Sequence, residues 1–348
     1  MSNYKDRERE YITKIEKTPL PSNTKEYLTE YIQAMSFRHS PVTRYNYLLD
    51  VIMFLDYLEN PTIERLAEMK TRNFDKYLMY LTDYETKNGT RSYNKNISLK
   101  RRLSALRSFY DYLARTYDDE SDLGKKLQVA YAQIQKVMLP KLVTKKVITY
   151  MDKEEMRSFR SEVENASSLS KTSQKFHEHT KIRDVAIMDL FLSTGIRVSE
   201  LVNLDVKDID MEHYSFICIR KGGFPDLIYF SDTAAESLRE WLRIREDFIS
   251  DTSTENDKKA LFLSLKHHRM TDRAIRYLVS KYSENSVPQK KISPHKLRAT
   301  FATALYTETR DIYAVATSLG HSSVNTTKQY YAHISEDIKQ ENRNKIEL

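Results

Sequence analysis

Glycine is scarce in this chain: six among 348 residues, at positions 89, 124, 195, 222, 223 and 320. No two have the spacing of a P-loop or of a G-x-G-x-x-G turn, which excludes the common phosphate-cradling loops and makes a doubly wound nucleotide-binding fold improbable. ATP is therefore not expected as an energy source. Cysteine is scarcer still, and the lone Cys218 excludes an internal disulfide and any zinc site built on thiolates. No apolar run approaches the ~18 residues of a membrane span, and Met1–Glu8 has no signal-peptide core, so a cytoplasmic protein with no membrane partner is expected. Few glycines and few prolines beside many Leu, Lys, Glu and Tyr favour a mostly helical protein.

What is abundant is charge. Lys and Arg number 56 against 49 Asp and Glu, a net of +7. The excess is modest, so the case for a polyanionic partner rests on where the cations lie. The length suggests two domains, at roughly 100–200 residues each.

Residues 1–20 read as an N-terminal extension and 21–117 as a helical domain. Ser40-Pro41 is a helix start, a capping hydroxyl followed by proline at the first helical position. Leu48, Ile52, Leu55 and Leu58 follow at helical spacing, then Ile63, Leu66, Phe74, Leu78 and Leu81 with a break near Thr71-Arg72-Asn73. Asn88-Gly89-Thr90 reads as a turn. Leu99, Leu103, Leu106, Tyr110 and Leu113 form one helical stripe, and the opposite face presents Lys100, Arg101 and Arg107 as candidate phosphate contacts. Residues 118–146, acidic at the start and basic around Pro140–Lys146, read as a linker.

A second domain is expected over 147–333, followed by a polar tail, 334–348. Asp152 is a helix cap, Glu162–Thr180 a loop or frayed helix, and Ile182–Leu192 a nearly all-round apolar helix at the centre of the second core. Between Tyr214 and Phe230 the period switches to a small β-hairpin turning at Gly222-Gly223, with Pro225 keeping the returning strand at an edge. Helices are expected again over 233–248, 271–282, 296–308 and 311–319, with Gly320 as a C-terminal cap.

Three segments of this second domain carry chemistry. Thr194-Gly195-Ile196-Arg197-Val198-Ser199-Glu200-Leu201 places Arg197 at a helix start, and Arg220-Lys221-Gly222-Gly223 places Lys221 at the hairpin tip. Pro294-His295-Lys296-Leu297-Arg298 sets His295 and Arg298 on one helix face, and Leu319-Gly320-His321 and Tyr330-Tyr331 follow. Two arginines, a lysine, two histidines and a tyrosine suit phosphoryl transfer without metal. Arginine forks bind phosphodiester oxygens bidentately, a lysine or histidine moves the protons, and cationic neighbours make a tyrosine of pKa ~10 a usable nucleophile.

This set resembles the tyrosine recombinases, the phage-integrase and Xer family. Its signature is T-G-[LI]-R-x-S-E-L, a hairpin Lys, H-x-L-R, then L-G-H with a Tyr nine residues later. The matching positions are Arg197, Lys221, His295, Arg298, His321 and Tyr330, with Glu200 at the accessory acidic position. Ser40-Pro-Val-Thr, Tyr47, Asp50, Phe54 and Tyr57 resemble the family's N-terminal core-binding domain, and the resemblance runs from about residue 24 to about 334.

The resemblance implies a two-domain clamp on duplex DNA, mainly α with a small β-sheet. It also implies a 3′-phosphotyrosine intermediate, strand exchange through a Holliday junction in a homotetramer on two sites, and no metal or nucleotide cofactor. It leaves room for an accessory DNA translocase and for the tail as a helix that docks on a neighbouring protomer. Within the family, XerS-type single recombinases and mobile-element integrases both fit, so chromosome dimer resolution and element integration stay open.

Two features depart from the pattern: Ala299 replaces a frequent second His, and Phe224-Pro225-Asp226 stands where basic hairpin residues are usual. Tyr331, followed by Ala332-His333, is the alternative nucleophile. Lys290, Lys291 and Lys296 beside His295 are further candidate DNA contacts. A type IB topoisomerase that only relaxes DNA, or a DNA-binding protein with a decayed site, are the other readings. His177 and His179, or His267 and His268, lack a carboxylate frame for a metal and read as surface loops.

Overall fold

The computed structural model describes residues 2–85, 91–92, 96–117, 120–139, 149–167, 169–220, 223–321 and 324. The chain divides into two compact units, Ser2–Lys145 and Lys146–Leu348.

The first unit is a helical bundle: α1 (Ser2–Lys17), α2 (Lys25–Ala34), α3 (Pro41–Tyr57), α4 (Ile63–Ala67), α5 (Thr71–Thr82), α6 (Asn96–Thr116) and α7 (Asp122–Gln135). A two-residue antiparallel pair, β1 (Tyr84–Glu85) with β2 (Arg91–Ser92), lies between α5 and α6. The expected cap is present, with the Ser40 hydroxyl accepting from the Thr43 amide at 3.4 Å and Pro41 in the first turn. The chain breaks between α4 and α5 where expected. The α6 stripe Leu99, Leu103, Leu106, Tyr110 and Leu113 is buried against α3 and α5, where Phe54 meets the Tyr77 ring at 5.0 Å and Phe74 meets Tyr110 at 5.2 Å. The buried Tyr110 hydroxyl donates to the Leu66 carbonyl at 3.2 Å, so this aromatic core leaves that phenol satisfied.

One sequence-based expectation needs correction and another is narrowed. The stretch 118–146 is not simply a linker, because α7 occupies its middle. Ser121 caps that helix, accepting from the Gly124 amide at 2.9 Å, and Leu127, Ala130 and Ile134 bury one face in the first unit's core. Glu162–Thr180, expected as a loop or a frayed helix, is helical over most of its length. It holds the end of α8 (Lys153–Asn165) and the start of α9 (Lys171–Thr194), separated by a five-residue connection that ends on the Ser170 cap. The polar composition hid this helix, since its inward residues are themselves polar: His177 Nδ1 bonds the Tyr282 hydroxyl at 2.9 Å, and Thr180 bonds Asp184 at 3.0 Å.

The second unit wraps helices around α9. After it come α10 (Val198–Leu201), strands β3 (Ile209–Asp210), β4 (Ser215–Ile219) and β5 (Pro225–Tyr229), then α11 (Asp232–Ile244), α12 (Glu255–Lys259), α13 (Asp272–Ser286), α14 (Pro294–Thr309) and α15 (Ile312–Ser318). The antiparallel sheet has the order β3-β4-β5, with Phe216 opposite Ile228 and Ile217 opposite Leu227. The hairpin was expected, and Pro225 begins its edge strand, but β3 was not foreseen because two residues carry no readable alternation. From Ala186 to Phe191, α9 is buried all round, packed by α8, α11 and α14. Trp241 on α11 closes this core, its indole N–H donating to the Leu261 carbonyl at 2.8 Å. The Asp152 cap forms a full capping box with Glu155. No described helix is long and apolar enough to cross a membrane.

Candidate active site

The buried helix α9 delivers the first element of the site. It ends at Gly195, which has φ +60° and donates its amide to the Phe191 carbonyl at 3.0 Å, the left-handed helix stop that glycine adopts without strain. A Cβ there would also collide with the Phe301 ring. The chain then turns sharply, and Arg197 becomes the N-terminal cap residue of α10. Glu200 reaches back to the Arg197 amide at 2.9 Å and takes the Arg197 guanidinium at 2.6 Å. Glu200 is buried, whereas the Arg197 side chain stays 29% exposed, so the carboxylate anchors from beneath an arginine that faces outward.

Arg298 comes from α14 and is also buried. Its guanidinium donates to the Gly195 carbonyl at 2.6 Å and to the Leu319 carbonyl, joining the turn before Arg197 to the turn before His321. His295, one helical turn earlier on α14, is exposed. At the end of α15 the chain closes with the His321 amide on the Ala316 carbonyl at 3.0 Å and the Gly320 amide on Thr317 at 2.8 Å, with Gly320 at φ +57°. This is the paired-bond helix stop expected at Gly320, and it presents His321.

Burial and the positive groups Arg298, Arg197, Arg220 and His295 push the His321 pKa down to about 4. The imidazole is therefore neutral at physiological pH. It offers one N–H as a hydrogen-bond donor, without a charge of its own.

Arg220 joins this group, although the sequence did not single it out as a site residue. It stands at the end of β4, where its amide bonds the Phe224 carbonyl at 2.8 Å and its carbonyl accepts from Gly223 at 3.0 Å, closing the hairpin. Its side chain is 7% exposed and donates to Asp226 at 2.8 Å, Glu200 at 3.0 Å and the Ser318 carbonyl at 3.1 Å. The one local signal was the acidic Asp226 in a hairpin expected to be basic.

Arg197, Glu200, His295, Arg298 and His321 thus share one region of the second unit. Lys221, Tyr330, Tyr331 and the tail 334–348 lie outside the described residues. Several of the cations expected to face phosphate have partners within the protein. Arg101 is paired with the buried Asp50, and Arg107 donates to the Val137 carbonyl at 2.7 Å beyond the end of α7. Lys290 pairs with Glu155 at 2.5 Å, and Lys296 bonds the Lys291 carbonyl. Lys100 and Lys291 are exposed. Among the described residues, no group of three or more His, Cys, Asp or Glu side chains is placed to hold a metal ion.

A buried helix feeding an arginine turn, a three-stranded sheet, and a second arginine helix leading to a capped histidine make up this site, in a unit joined in sequence to a separate helical bundle. The sequence profile of the phage integrase family matches residues 160–337, and that of the phage integrase N-terminal SAM-like domain matches residues 25–116. The chain belongs to the phage integrase family, the tyrosine recombinases.

Among curated relatives, it is 29% identical to tyrosine recombinase XerS of Streptococcus uberis, over 89% of this chain and 92% of the relative. It is 30% identical to tyrosine recombinase XerC of Treponema denticola, over 89% and 93%. Among solved structures, it resembles the XerH site-specific recombinase bound to a palindromic difH substrate, with TM-score 0.65, 18% identity and coverage of 88% of this chain and 80% of that one. It also resembles the Tn1549 transposon integrase in complex with transposon right end DNA, with TM-score 0.61, 17% identity and coverage of 92% and 99%. These two likenesses establish the fold.

Proposed function

We propose that this tyrosine recombinase cuts and rejoins duplex DNA at specific sites through a covalent 3′-phosphotyrosine, consuming no nucleotide and using no metal in the chemistry. The observation that carries the reading is the convergence of Arg197, Arg298 and His321 on one region, with Arg298 bonded to the carbonyls of Gly195 and Leu319 in the turns that precede Arg197 and His321. Two fixed guanidiniums and an N–H donor match a phosphodiester whose non-bridging oxygens gain charge as a nucleophile adds.

In this mechanism Arg197 and Arg298 hold the scissile phosphate, and His321 donates a hydrogen bond to one of its oxygens. Tyr330 gives up its proton, with His295 as the group that moves it, and its oxygen bonds to phosphorus. The bond from phosphorus to the 5′ oxygen breaks, and Lys221 protonates that oxygen. The bond energy stays in the phosphotyrosine, so rejoining is the same step reversed with another 5′ hydroxyl. The six-glycine sequence, with no P-loop spacing, agrees with chemistry that needs no nucleotide. Strand exchange proceeds in a homotetramer on two DNA sites through a Holliday junction. Lys100, Arg101 and Lys291 are exposed cations on the proposed DNA-facing surfaces, Arg101 being paired with Asp50; a translocase is a candidate accessory partner, and the cytoplasm the place of action.

The deciding experiment incubates the full chain with a nicked suicide substrate carrying candidate sites, followed by denaturing gel and peptide mapping. Covalent DNA on Tyr330, lost in Tyr330→Phe with binding retained, is expected; adducts that survive in that variant move the role to Tyr331. Relaxation of supercoils by single protomers with no exchange between paired sites identifies a topoisomerase instead, and binding without any adduct a decayed enzyme.

A further inference from the structure

We infer that Arg220 is a positioning residue of the cleavage site, a buried guanidinium that fixes Glu200 beneath Arg197 and ties both to the turn that presents His321. The inference rests on the recombinase reading above for what that site does. Its geometric basis is separate. Arg220 donates to three acceptors from three elements: Asp226 across the hairpin, Glu200 on α10 and the Ser318 carbonyl at the end of α15. Glu200 in turn divides its two oxygens between guanidiniums, Oε1 to Arg197 and Oε2 to Arg220, which sets the plane of the carboxylate.

Arg298 makes the complementary tie, from the Gly195 carbonyl to the Leu319 carbonyl next to Ser318. The site is therefore closed by two arginines acting from different elements on neighbouring carbonyls of one turn. If Arg220 is removed, Glu200 keeps the Arg197 guanidinium on Oε1 and the Arg197 amide on Oε2, but loses the guanidinium that pins Oε2 from the hairpin side. Of the two arginines on the Ser318–Gly320 turn, Arg298 then remains, beside the turn's own backbone bonds.

Two other residues are fitted to Arg220. A Cβ at Gly320 would lie 2.8 Å from the Arg220 Nε, so the close approach of this side chain, in addition to φ +57°, requires glycine there. Asp226 supplies a second negative charge. Arg197 and Arg220 share Glu200, and Asp226 gives the buried Arg220 a carboxylate of its own. The acidic residue in this hairpin is thus the counterion of an arginine six positions earlier. A lysine at 220 would keep the charge and lose the fork that reaches three acceptors at once.

The test uses the full chain with Arg220→Met, Arg220→Lys, Asp226→Asn, Glu200→Gln and the Arg220→Met/Glu200→Gln double variant. Single-turnover adduct formation on the nicked substrate is measured at saturating DNA, and DNA affinity separately. Arg220→Met is expected to slow adduct formation on the order of 10²-fold, the cost of a small misplacement of a phosphate-binding group, with affinity unchanged. Arg220→Lys recovers part of the rate. Asp226→Asn, at a half-exposed position, shows a smaller slowing of the same kind. The double variant is slowed by less than the product of the two single losses, because the changes share the Arg220–Glu200 contact.

An Arg220→Met chain that cleaves at the parental rate, one that loses affinity alone, or a double variant whose losses multiply overturns the inference. Should the parent form no adduct, the recombinase reading is what fails. Amide exchange then decides the clamp: faster exchange at Gly320 and His321 in Arg220→Met upholds it, and unchanged exchange removes it.

Discussion

The two units of this chain solve the packing problem with different materials. The first buries an aromatic and aliphatic core, and among its described residues Asp50 is the one buried charged side chain. The second buries Glu162, Arg183, Asp184, Asp189, Glu200, Asp205, Arg220, Arg245, Asp257 and Arg298 alongside its apolar core. Buried ion pairs are a poor source of net stability, since desolvation offsets most of the attraction. What they give is direction, because a forked guanidinium on fixed acceptors holds its neighbours in one geometry. The first unit is thus held by apolar area, while the second also fixes its elements with buried charge, of which Glu200, Arg220 and Arg298 lie in the candidate site.

The sharpest break of that comparison is to empty the first core. Phe54 is wholly buried, with the rings of Tyr77 and Phe74 against it at 5.0 and 6.0 Å. Phe54→Ala is expected to destabilise the first unit by about 3–5 kcal/mol. The only tryptophan, Trp241, is buried in the second unit and reports on it alone. A thermal melt followed by far-UV dichroism should gain an early phase in this variant, while the Trp241 fluorescence transition stays in place. Coincident shifts in both signals would show that the units are energetically one.

The matching break in the second unit is Arg298→Ala. It removes a proposed phosphate donor and leaves the Gly195 and Leu319 carbonyls without their shared partner. Adduct formation should fall by ~10²–10³-fold, the usual cost of one preorganised donor. A variant that binds DNA more weakly but cleaves normally once bound contradicts the assignment.

The same contrast explains what could be read in advance. The α6 stripe, the Ser40-Pro41 cap, the hairpin and the Gly195-Ile196-Arg197 turn are written in local spacing, and the structure shows each. Arg220 was passed over because its partners Glu200 and Ser318 stand 20 and 98 residues away, beyond any local pattern. Arg101 and Arg107 lie on the polar side of their helix by phase. Their pairing with Asp50 and Val137, 51 and 30 residues off, is a property of the folded bundle. The start of α9 is legible only as a loop or a frayed helix for a related reason, since its inward face is made of His177, Thr180 and Asp184 bonded to one another or to Tyr282, which leaves no apolar period to see.

A pH titration sharpens the comparison at intermediate size. His321 titrates near 4 in the fold against an ordinary value of 6.5. Between those limits the unfolded chain takes up a proton that the folded site refuses, so the second unit loses stability as pH falls from about 6.5 to 4. The Trp241 transition should move to lower temperature over that window and move less in His321→Gln. An identical pH response in the variant would place the sensitivity elsewhere.

The smallest expected effect bears on the helix that composition disguised. The acidic, polar start of 118–146 reads as a connection, yet Ser121 turns it into a helix start by accepting from the Gly124 amide. Leu127, Ala130 and Ile134 then return the chain to the first core. Ser121→Ala leaves an amide unsatisfied at that cap and should cost about 1 kcal/mol. The loss belongs to the first unit, so the early dichroism phase should shift while Trp241 stays still, as for Phe54→Ala but smaller. No shift in either signal would mean that α7 adds nothing to the bundle's stability; a shift in Trp241 alone would assign the helix energetically to the second unit, against its packing.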